Sequence, residues 1–381
     1  MKIVIAPDSF KGSLSSIDVI NIMKKEALKT FADADVIGIP IADGGEGTID
    51  AMLFGSDGEK RTCTVLNPLG EEISAEYGII GDTAIIEMAS CSGLTLIGIN
   101  QRNPLKTTSF GTGQMIKNVL DAGYRKILIG IGGSATNDGG MGAMQALGAE
   151  FFDIEDDLIK NGCGEKLIEI NRISIDNLDS RLRCSEITVM CDVENTLTGE
   201  SGATYVYGMQ KGGSKETLNI LEEGMLHYEE KINELFDSEI SRQPGAGAAG
   251  GMGAALMGFC GAKLTSGIDA VIKIKNFEER IKGADIIITG EGRIDSQSAY
   301  GKVIYGVAKH AKKQGIPVIA VAGAVGEGFD KVYDIGVDAI FTLPDRPMRM
   351  AECLDKADIL LSQLSRNIFE LIKLTNKKST S

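Results

Sequence analysis

The apolar residues of the chain fall into short β-type runs that alternate with helical repeats. Two runs rich in β-branched residues, 2–6 and 35–41, open the chain, and three more lie near its C-terminus in ADIIITGEG, PVIAVAGAVG and AIFTLP. The first segment between them has helical periodicity and begins with a predicted capping box at Ser15 and Asp18. Strands separated by helices are typical of a doubly wound parallel sheet, so we predict an α/β fold.

The middle of the chain has a different pattern. In residues 61–89, β-favouring residues alternate with polar ones between turn signals at 67–70 and 81–82, which is typical of an antiparallel meander. We therefore predict that residues 1–60 and 271–381 form one discontinuous domain. Residues 61–270 are predicted to form an inserted α/β domain with a mixed sheet and glycine-rich loops.

One stretch, KILIGIGGSATNDGGMG at residues 126–142, joins a short apolar run to a glycine-rich loop. The run is long enough for a buried strand, and a helical pattern resumes near Met141. A loop of this kind places backbone N–H groups around a small concavity, which suits a phosphate or a carboxylate. The residues predicted to bind nucleotide phosphates here are Gly132, Gly133, Ser134, Asn137 and Asp138.

Two segments also match the dinucleotide-binding fingerprint. The first, GIGGSA at residues 130–135, follows a predicted strand, but poor helix formers come next, where the fingerprint needs a helix to begin. The second, GAGAAG at residues 245–250, has no preceding strand. An NAD(P)-dependent hydroxy-acid reductase and a purely structural glycine turn therefore remain as alternatives to a phosphate site.

Acidic side chains follow several of the predicted strands. Because the carboxyl ends of adjacent parallel strands meet at one edge of a sheet, we expect such residues to surround a ligand, although each alone is equally compatible with a cap, a turn or a surface ion pair. Carboxylates would repel an anion unless a cation lies between them, and Mg²⁺ takes one or two carboxylates together with phosphate oxygens. The combination favours phosphoryl transfer. The candidates are Asp8, Ser9, Lys11, Asp43, Glu46, Asp192, Asn195, Glu291, Arg293, Asp295 and Lys302.

Composition narrows the class of protein. The chain has 381 residues, 43% of them apolar, and a formal net charge of −14, which argues against a nucleic-acid or anionic-membrane partner. The segment MKIVIAPDSF lacks the apolar length of a signal peptide, and no apolar run is long enough to span a membrane. Seven scattered cysteines without a Cys-x-x-Cys pair fit reduced thiols, so we expect a cytoplasmic protein.

The common kinase signatures do not occur in this sequence, which has no Walker motif and none of the protein-kinase motifs. The motifs that do occur are IAPDSFKGSLSS, ADGGEGT, IGIGGSATNDGGMGAMQALGA, MCDVEN, PGAGAAGGMGAAL and ITGEGRIDSQSAYGK. Together they strongly resemble the bacterial type-1 glycerate kinases. The resemblance runs from Met1 to about residue 345, in the same order.

This resemblance implies an enzyme that phosphorylates D-glycerate with ATP and Mg²⁺. It implies a flavodoxin-like domain that faces the inserted domain across a cleft with the active site, and it favours 2-phosphoglycerate over 3-phosphoglycerate as the product. A homo-oligomer is left open. A regulator that binds glycerate or nucleotide without turnover is a further alternative.

On the basis of the resemblance we assign hypothetical roles to individual residues. The predicted substrate site is Asp8, Ser9, Lys11, Asp43 and Arg293, with Lys11 and Arg293 near the carboxylate of D-glycerate. The predicted catalytic residues are Asp192, Asp295, Lys11 and Glu291, with Asp192 or Asp295 as the base, and the predicted Mg²⁺ ligands are Asp192, Glu46 and Asp295. The chain departs from the family pattern at Thr196 and at residues 296–300, and neither departure removes an ionisable group.

Overall fold

The computed structural model describes residues 1–300 and 302–379. The chain forms two compact units. Unit 1 comprises Met1–Asp43, Asp50–Phe54 and Ser266–Ser381, and unit 2 comprises Gly44–Ile49 and Gly55–Thr265. Gly301, Thr380 and Ser381, which belong to the predicted C-terminal segment of the discontinuous domain, lie outside the described residues.

The described residues form strands and helices with the following bounds. The strands are β1 (Lys2–Pro7), β2 (Asp35–Gly38), β3 (Glu59–Leu66), β4 (Glu72–Ile80), β5 (Thr83–Glu87), β6 (Lys126–Gly130), β7 (Glu150–Phe152), β8 (Arg172–Ser174), β9 (Glu186–Met190), β10 (Lys263–Thr265), β11 (Ile286–Ile294), β12 (Val318–Val325) and β13 (Ala339–Thr342). The α-helices are α1 (Ser16–Thr30), α2 (Thr48–Leu53), α3 (Ala89–Ser92), α4 (Phe110–Asp121), α5 (Met141–Ala146), α6 (Ala203–Tyr207), α7 (Lys215–Phe236), α8 (Ala248–Cys260), α9 (Gly267–Ile274), α10 (Phe277–Arg280), α11 (Val303–Lys313), α12 (Lys331–Asp334), α13 (Met350–Asp355) and α14 (Ala357–Ser379). Short 3-10 helices include Met209–Lys211 and Ser296–Ala299.

Unit 1 is built on a parallel sheet with the strand order β13-β12-β11-β1-β2. When its strands are counted along the chain, this order is the flavodoxin-like 2-1-3-4-5, whose ligand crevice lies between the first and third strands. These are β1 and β11, which pair in parallel with Ile3 opposite Ile286. The predicted α/β class with a parallel sheet is confirmed.

The core of unit 1 lies between the sheet and its helices. Ile3 and Ile5 of β1 are buried against the apolar face of α1, and Leu361 and Phe369 of α14 join the same cluster. The buried residues Ile20, Met23 and Ala27 of α1 recur at helical spacing, whereas Leu28 of the same apolar repeat is exposed. The sheet is therefore rigidly backed beneath the loops that follow its strands.

Unit 2 contains a mixed sheet with the strand order β10-β9-β6-β5-β4-β3. The pairs from β10 to β5 are parallel, whereas β5, β4 and β3 form the predicted antiparallel meander. β6 lies between β5 and β9, so the glycine-rich residues that follow it leave from the carboxyl edge of the parallel part. A small antiparallel pair, β7 and β8, lies in a polar region where the sequence had little pattern.

The bounds of the two units differ from the predicted domain boundaries at 60/61 and 270/271. Residues 44–49 belong to unit 2 because the backbone of Gly44 packs against Gly130, and residues 55–60 belong there because β3 begins at Glu59 and pairs with β4. The assignment of two domains stays a prediction. None of the helices in the described part of the chain has the length and apolar character needed to cross a membrane.

The predicted capping box at the start of α1 is confirmed and supports a stability test. The Ser15 hydroxyl accepts from the Asp18 N–H at 3.1 Å, and the Ser15 N–H donates to the Asp18 carboxylate at 3.1 Å. Loss of such a cap costs about 1 kcal/mol, so we expect Ser15→Ala to lower the free energy of unfolding by that amount. Urea denaturation followed by circular dichroism measures this free energy. The control is Lys24→Ala, at an exposed position of α1, and we expect its free energy of unfolding to lie within about 0.5 kcal/mol of wild type. Equal values for the two variants would contradict the role of the cap.

Candidate functional site

Polar side chains gather at the carboxyl edge of the sheet in unit 1, at the crevice between β1 and β11. We call this group the unit 1 cluster. Its members are Asp8, Ser9, Lys11, Asp43, Glu291, Arg293, Asp295, Ser298 and Lys302. The sequence singled out every member except Ser298, and the strand order explains why residues from both ends of the chain meet there.

Asp8 is a buried acid at the centre of this crevice, with 8% of its surface exposed. Its N–H donates to the Gly290 carbonyl at 2.8 Å, and its carboxylate accepts from the Ser9 N–H at 2.6 Å. Burial, together with the nearby charge of Asp43, raises the pKa of Asp8 to about 7. Asp8 therefore exchanges its proton close to neutral pH.

Two cations of the unit 1 cluster, Lys11 and Arg293, are more exposed than its acids. Lys11 Nζ lies 2.8 Å from Asp43 Oδ2, with 74% of the Lys11 side chain exposed. Arg293 Nε lies 3.7 Å from Asp295 Oδ2, with 67% of the Arg293 side chain exposed. Exposed ion pairs contribute little to stability, so both cations are available to an anionic ligand at small energetic cost.

Glu291 is the second buried acid of the cluster, with 7% of its surface exposed. Burial raises the pKa of its carboxyl, whereas a hydrogen bond from the Ser298 hydroxyl and the positive charge of Lys302 oppose that shift. The hydroxyl of Ser298 is itself buried. Ser298 was missed in the sequence because its only signal was its place in a short polar turn.

In unit 2, the segment that carries Glu46 packs on the carboxyl edge of the sheet through glycine backbones. A Cβ atom on Gly130 would overlap the Gly44 carbonyl, and one on Gly44, where φ is +84°, would lie 2.8 Å from the Met190 Cβ. The Gly132 N–H donates to the same Gly44 carbonyl at 3.1 Å. Only glycine fits the positions of Gly44 and Gly130, and Glu46 stays exposed beyond them.

The glycine-rich loop after β6 presents two backbone amides that suit an anion. Gly133 is exposed and has a φ of +73°, and the flanking backbone is fixed by a hydrogen bond from the Ala135 N–H to the Ser92 carbonyl at 2.8 Å. Within the described residues, the amides of Gly133 and Ser134 donate to no protein group. Adjacent free amides of this kind form an anion-binding concavity.

Two predicted phosphate ligands of the loop point into the protein instead. The Asp138 carboxylate is fully buried and accepts from the Ser109 N–H at 2.8 Å, the Ser109 hydroxyl at 2.7 Å and the N–H groups of Gly140 and Gly142. The Asn137 side chain donates to the Thr204 hydroxyl at 3.2 Å. The amides at the start of α5 are therefore already satisfied by Asp138.

The two candidate residues that follow β9, Asp192 and Asn195, have different surroundings. Asp192 is exposed. Asn195 accepts from the Tyr207 hydroxyl at 2.6 Å and donates to the Ser201 carbonyl at 2.7 Å, so its side chain braces its own loop. Of the two, only Asp192 presents its side chain outward.

Lys211 is an additional buried charge near the glycine-rich loop that the sequence did not reveal. Only 2% of its surface is exposed, and its Nζ donates to the Thr136 carbonyl at 2.6 Å. Burial lowers its pKa to about 7, against the opposing charge of Asp138. In the sequence, a lysine between glycines ahead of a long helix gave no sign of burial.

The predicted Mg²⁺ ligands agree with the chemistry of that ion. Glu46 and Asp192 are exposed carboxylates, and 29% of the Asp295 side chain is exposed. Mg²⁺ prefers oxygen donors and keeps waters and phosphate oxygens beside one or two carboxylates, so each of these side chains is of a type that it binds, and their use as one ligand set stays a prediction. In the described part of the chain, the only three acids with converging ligand atoms are Asp153, Glu155 and Asp157, which form an unrelated surface loop.

Comparison with known proteins decides the family. The sequence model of the Glycerate kinase family matches residues 3–373. This chain belongs to the glycerate kinase family. It is 47% identical over 370 residues to glycerate 2-kinase of Escherichia coli strain K12, covering 97% of both chains, and 46% identical over 368 residues to glycerate kinase of Halalkalibacterium halodurans, covering 96% of this chain and 97% of the relative. A crystal structure of a glycerate kinase 2 from Salmonella typhimurium LT2 superposes with a TM-score of 0.86 at 43% identity, and 99% of each chain is covered.

Membership of the glycerate kinase family confirms the resemblance and the prediction of a kinase. The reductase alternative loses its basis, because α5 begins only at Met141, well after Ala135. In the second fingerprint, the left-handed backbone of Gly250 packs against Thr136, and its carbonyl accepts from the Gly139 N–H at 2.9 Å. The glycines there allow one loop to approach another.

Burial of Asp8 leads to a prediction about stability. Below its folded pKa of about 7, the native protein keeps Asp8 protonated, so the cost of a buried charge grows as pH rises from the ordinary aspartate pKa towards 7 and is fully present above it. Asp8→Asn removes this charge. We expect it to increase the free energy of unfolding, by about 2 kcal/mol more at pH 8 than at pH 5.

Denaturation of wild type and Asp8→Asn at both pH values measures this difference. Asp33→Asn, which changes an exposed aspartate of unit 1, is the control and should leave stability unchanged at either pH. An equal gain for Asp8→Asn at pH 5 and pH 8 would contradict the buried charge as its cause.

Proposed function

We propose that this enzyme transfers the γ-phosphoryl group of ATP to the 2-hydroxyl of D-glycerate and forms 2-phosphoglycerate and ADP. Family membership supports a glycerate kinase, and the name of the Escherichia coli relative, glycerate 2-kinase, favours the 2-position over the 3-position. The structural observation that carries the proposal is the unit 1 cluster. It combines acidic side chains, among them the partly exposed Asp295 as a candidate base, with exposed cations for an anionic substrate.

The substrate is proposed to bind in the unit 1 cluster. Lys11 and Arg293 hold the carboxylate of D-glycerate, and the hydroxyl groups of the substrate face Asp8, Ser9 and Asp43. Since the whole chain carries a formal charge of −14, an anionic substrate needs such local cations to overcome the field of the protein. The large exposed fractions of Lys11 and Arg293 support this assignment.

The phosphates of ATP are proposed to bind the glycine-rich loop at Gly132, Gly133 and Ser134. The amides of Gly133 and Ser134 support this assignment because they point to no acceptor in the described protein. Asn137 and Asp138 are proposed to act from behind the loop, because their side chains are engaged by Thr204 and Ser109. They fix the loop and leave the phosphate contacts to its backbone.

In the proposed reaction a carboxylate, Asp295 or Asp192, accepts the proton of the attacking hydroxyl. The hydroxyl oxygen forms a bond to the γ-phosphorus as the bond from that phosphorus to the bridging oxygen of ADP breaks, and ADP leaves with the electron pair. Lys11 neutralises negative charge on the substrate. Glu291 is the remaining acid of the proposed catalytic residues. Asp192, Glu46 and Asp295 are the residues that would hold Mg²⁺, which would supply charge neutralisation on the phosphates.

The wider assignments are also proposals. We propose that units 1 and 2 correspond to the two predicted domains, and that the enzyme acts in the cytoplasm on small molecules without a nucleic-acid or membrane partner. All seven cysteines are free thiols, which supports a reducing compartment. The acidic charge of the chain supports the lack of a nucleic-acid partner.

A phosphorus NMR experiment tests the reaction. The purified protein is incubated with ATP, Mg²⁺ and D-glycerate, and matched samples omit glycerate or Mg²⁺. We expect a new phosphomonoester signal that requires both additions and is split by one proton, as a 2-phosphate is. Splitting by two protons would overturn the 2-position alone, and an unchanged ATP spectrum from folded protein would overturn the kinase.

The role of Asp295 is tested by Asp295→Asn. Loss of a group that transfers a proton costs about 100- to 10,000-fold in rate, so we expect kcat to fall within that range while the Tm stays unchanged. Asp33→Asn in unit 1 is the control for an aspartate away from the cluster and should keep the kcat of wild type. A folded Asp295→Asn variant with near-normal kcat would remove Asp295 from the catalytic set.

A further inference from the structure

One buried hydroxyl links two of the acids to which the proposed function gives catalytic roles. Ser298, with 1% of its surface exposed, lies in the 3-10 turn Ser296–Ala299 directly after β11. Its Oγ donates to Glu291 Oε1 and accepts from the Asp295 N–H at 3.2 Å. A serine hydroxyl has a single proton to donate, and here that proton is committed to the Glu291 carboxylate.

Hydrogen bonds in both directions join Asp295 to the residues of the turn that contains Ser298. The Asp295 carboxylate accepts from the Gln297 N–H at 3.0 Å, and the Ser298 N–H donates to the Asp295 carbonyl at 3.0 Å. Asp295 is thereby fixed at the start of the turn, with its backbone N–H bonded to the same Ser298 hydroxyl that orients Glu291. A shift of this hydroxyl would move both acids.

We propose that Ser298 is a positioning residue for phosphoryl transfer, which sets the Glu291 carboxylate and the Asp295 backbone in fixed relation to each other. The inference rests on the proposed function, because the catalytic roles of Glu291 and Asp295 belong to it. Ser298 itself contacts no reacting atom in this scheme. Its effect on the reaction passes through the two acids.

The physical reason for the effect is the burial of Glu291. With 7% of its surface exposed, this carboxylate has little water to replace a lost donor, and a buried acceptor without a partner turns towards another donor or takes up a proton. Either response removes the carboxylate from its productive geometry. Because hydrogen bonds to charged groups are strong, loss of this one corresponds to about 10- to 100-fold in rate.

Ser298→Ala is the variant that removes the hydroxyl, and the same chain offers matched controls. Ser298→Thr keeps the hydroxyl, and Ser296→Ala removes a hydroxyl from the same turn that is not bonded to either acid in the described residues. Glu291→Ala removes the acceptor of the Ser298 proton. The double variant Glu291→Ala with Ser298→Ala completes a mutant cycle.

The experiment is steady-state kinetics of the full chain with ATP, Mg²⁺ and D-glycerate. We expect Ser298→Ala to lower kcat by about 10- to 100-fold with both KM values within about 3-fold of wild type, whereas Ser298→Thr and Ser296→Ala stay within about 3-fold in kcat. In the Glu291→Ala background, the same Ser298→Ala change should cost less than it does in the wild-type background, because only the hydrogen bond from the Asp295 N–H remains to be lost. A general loosening of the fold would instead lower the activity of either background equally.

Each contrary result has a distinct meaning. Full activity of Ser298→Ala, or an undiminished loss in the Glu291→Ala background, would overturn the positioning role while the kinase stands. Failure of Ser298→Thr to recover activity would also overturn it if that variant keeps the Tm of wild type. No turnover of D-glycerate by the wild-type enzyme would overturn the proposed function first, and the inference with it.

Discussion

The parallel pairing of β1 with β11 is the constraint on which the proposed substrate site of this glycerate kinase depends. It joins strands near opposite ends of a 381-residue chain, with Ile3 opposite Ile286. In the sheet, β2 lies on one side of this pair and β12 and β13 lie on the other. The strand order therefore reverses between β1 and β11, and the loops that follow these two strands diverge and leave a crevice between them. Asp8 and Glu291 meet there, although neither lies near the other in sequence.

The unit 1 cluster also has an energetic consequence. Two acids, Asp8 and Glu291, are more than nine-tenths buried, and burial raises the pKa of both. Charges held in this way weaken the fold, and acids with such perturbed pKa values are frequent at functional sites. The cations Lys11 and Arg293 lie outward, where the proposed anionic substrate would replace water around them. The unit 1 cluster therefore has negative groups on its buried side and positive groups on its exposed side.

In unit 2, several backbones come close together around the glycine-rich loop that we propose binds the phosphates of ATP. Gly44, Gly130 and Gly250 each contact another main chain where a side chain would collide. The charges that support the loop, Asp138 and Lys211, are buried behind it and satisfied by protein groups. Hydrogen bonds of Asp138, Asn137 and Lys211 tie the loop to neighbouring segments, whereas the buried Thr136 Oγ1 and Asn137 Oδ1 have no hydrogen-bond partner in the described part of the chain.

The sequence by itself determined the alternation of strands and helices near both ends of the chain, the α/β class, the family and most of the polar residues at the strand ends. Local signals carry this information, since periodicity, glycine runs and the capping box at Ser15 and Asp18 are readable without knowing what packs against them. Asp8, Lys11 and Glu291 were candidates for the same reason, each lying just beyond or at the end of an apolar run.

Tertiary structure alone decided which of these side chains face outward and which support their neighbours. Asp138 and Asn137 look like ligands in sequence, yet Ser109 and Thr204 engage them from elements distant along the chain. From the sequence alone, Lys211 is expected to be a surface lysine and Ser298 an ordinary turn residue. Packing of separate segments buries both side chains. Hydrogen-bond partners and burial depend on contacts between remote segments, and these contacts cannot be inferred from the local periodicity of the sequence.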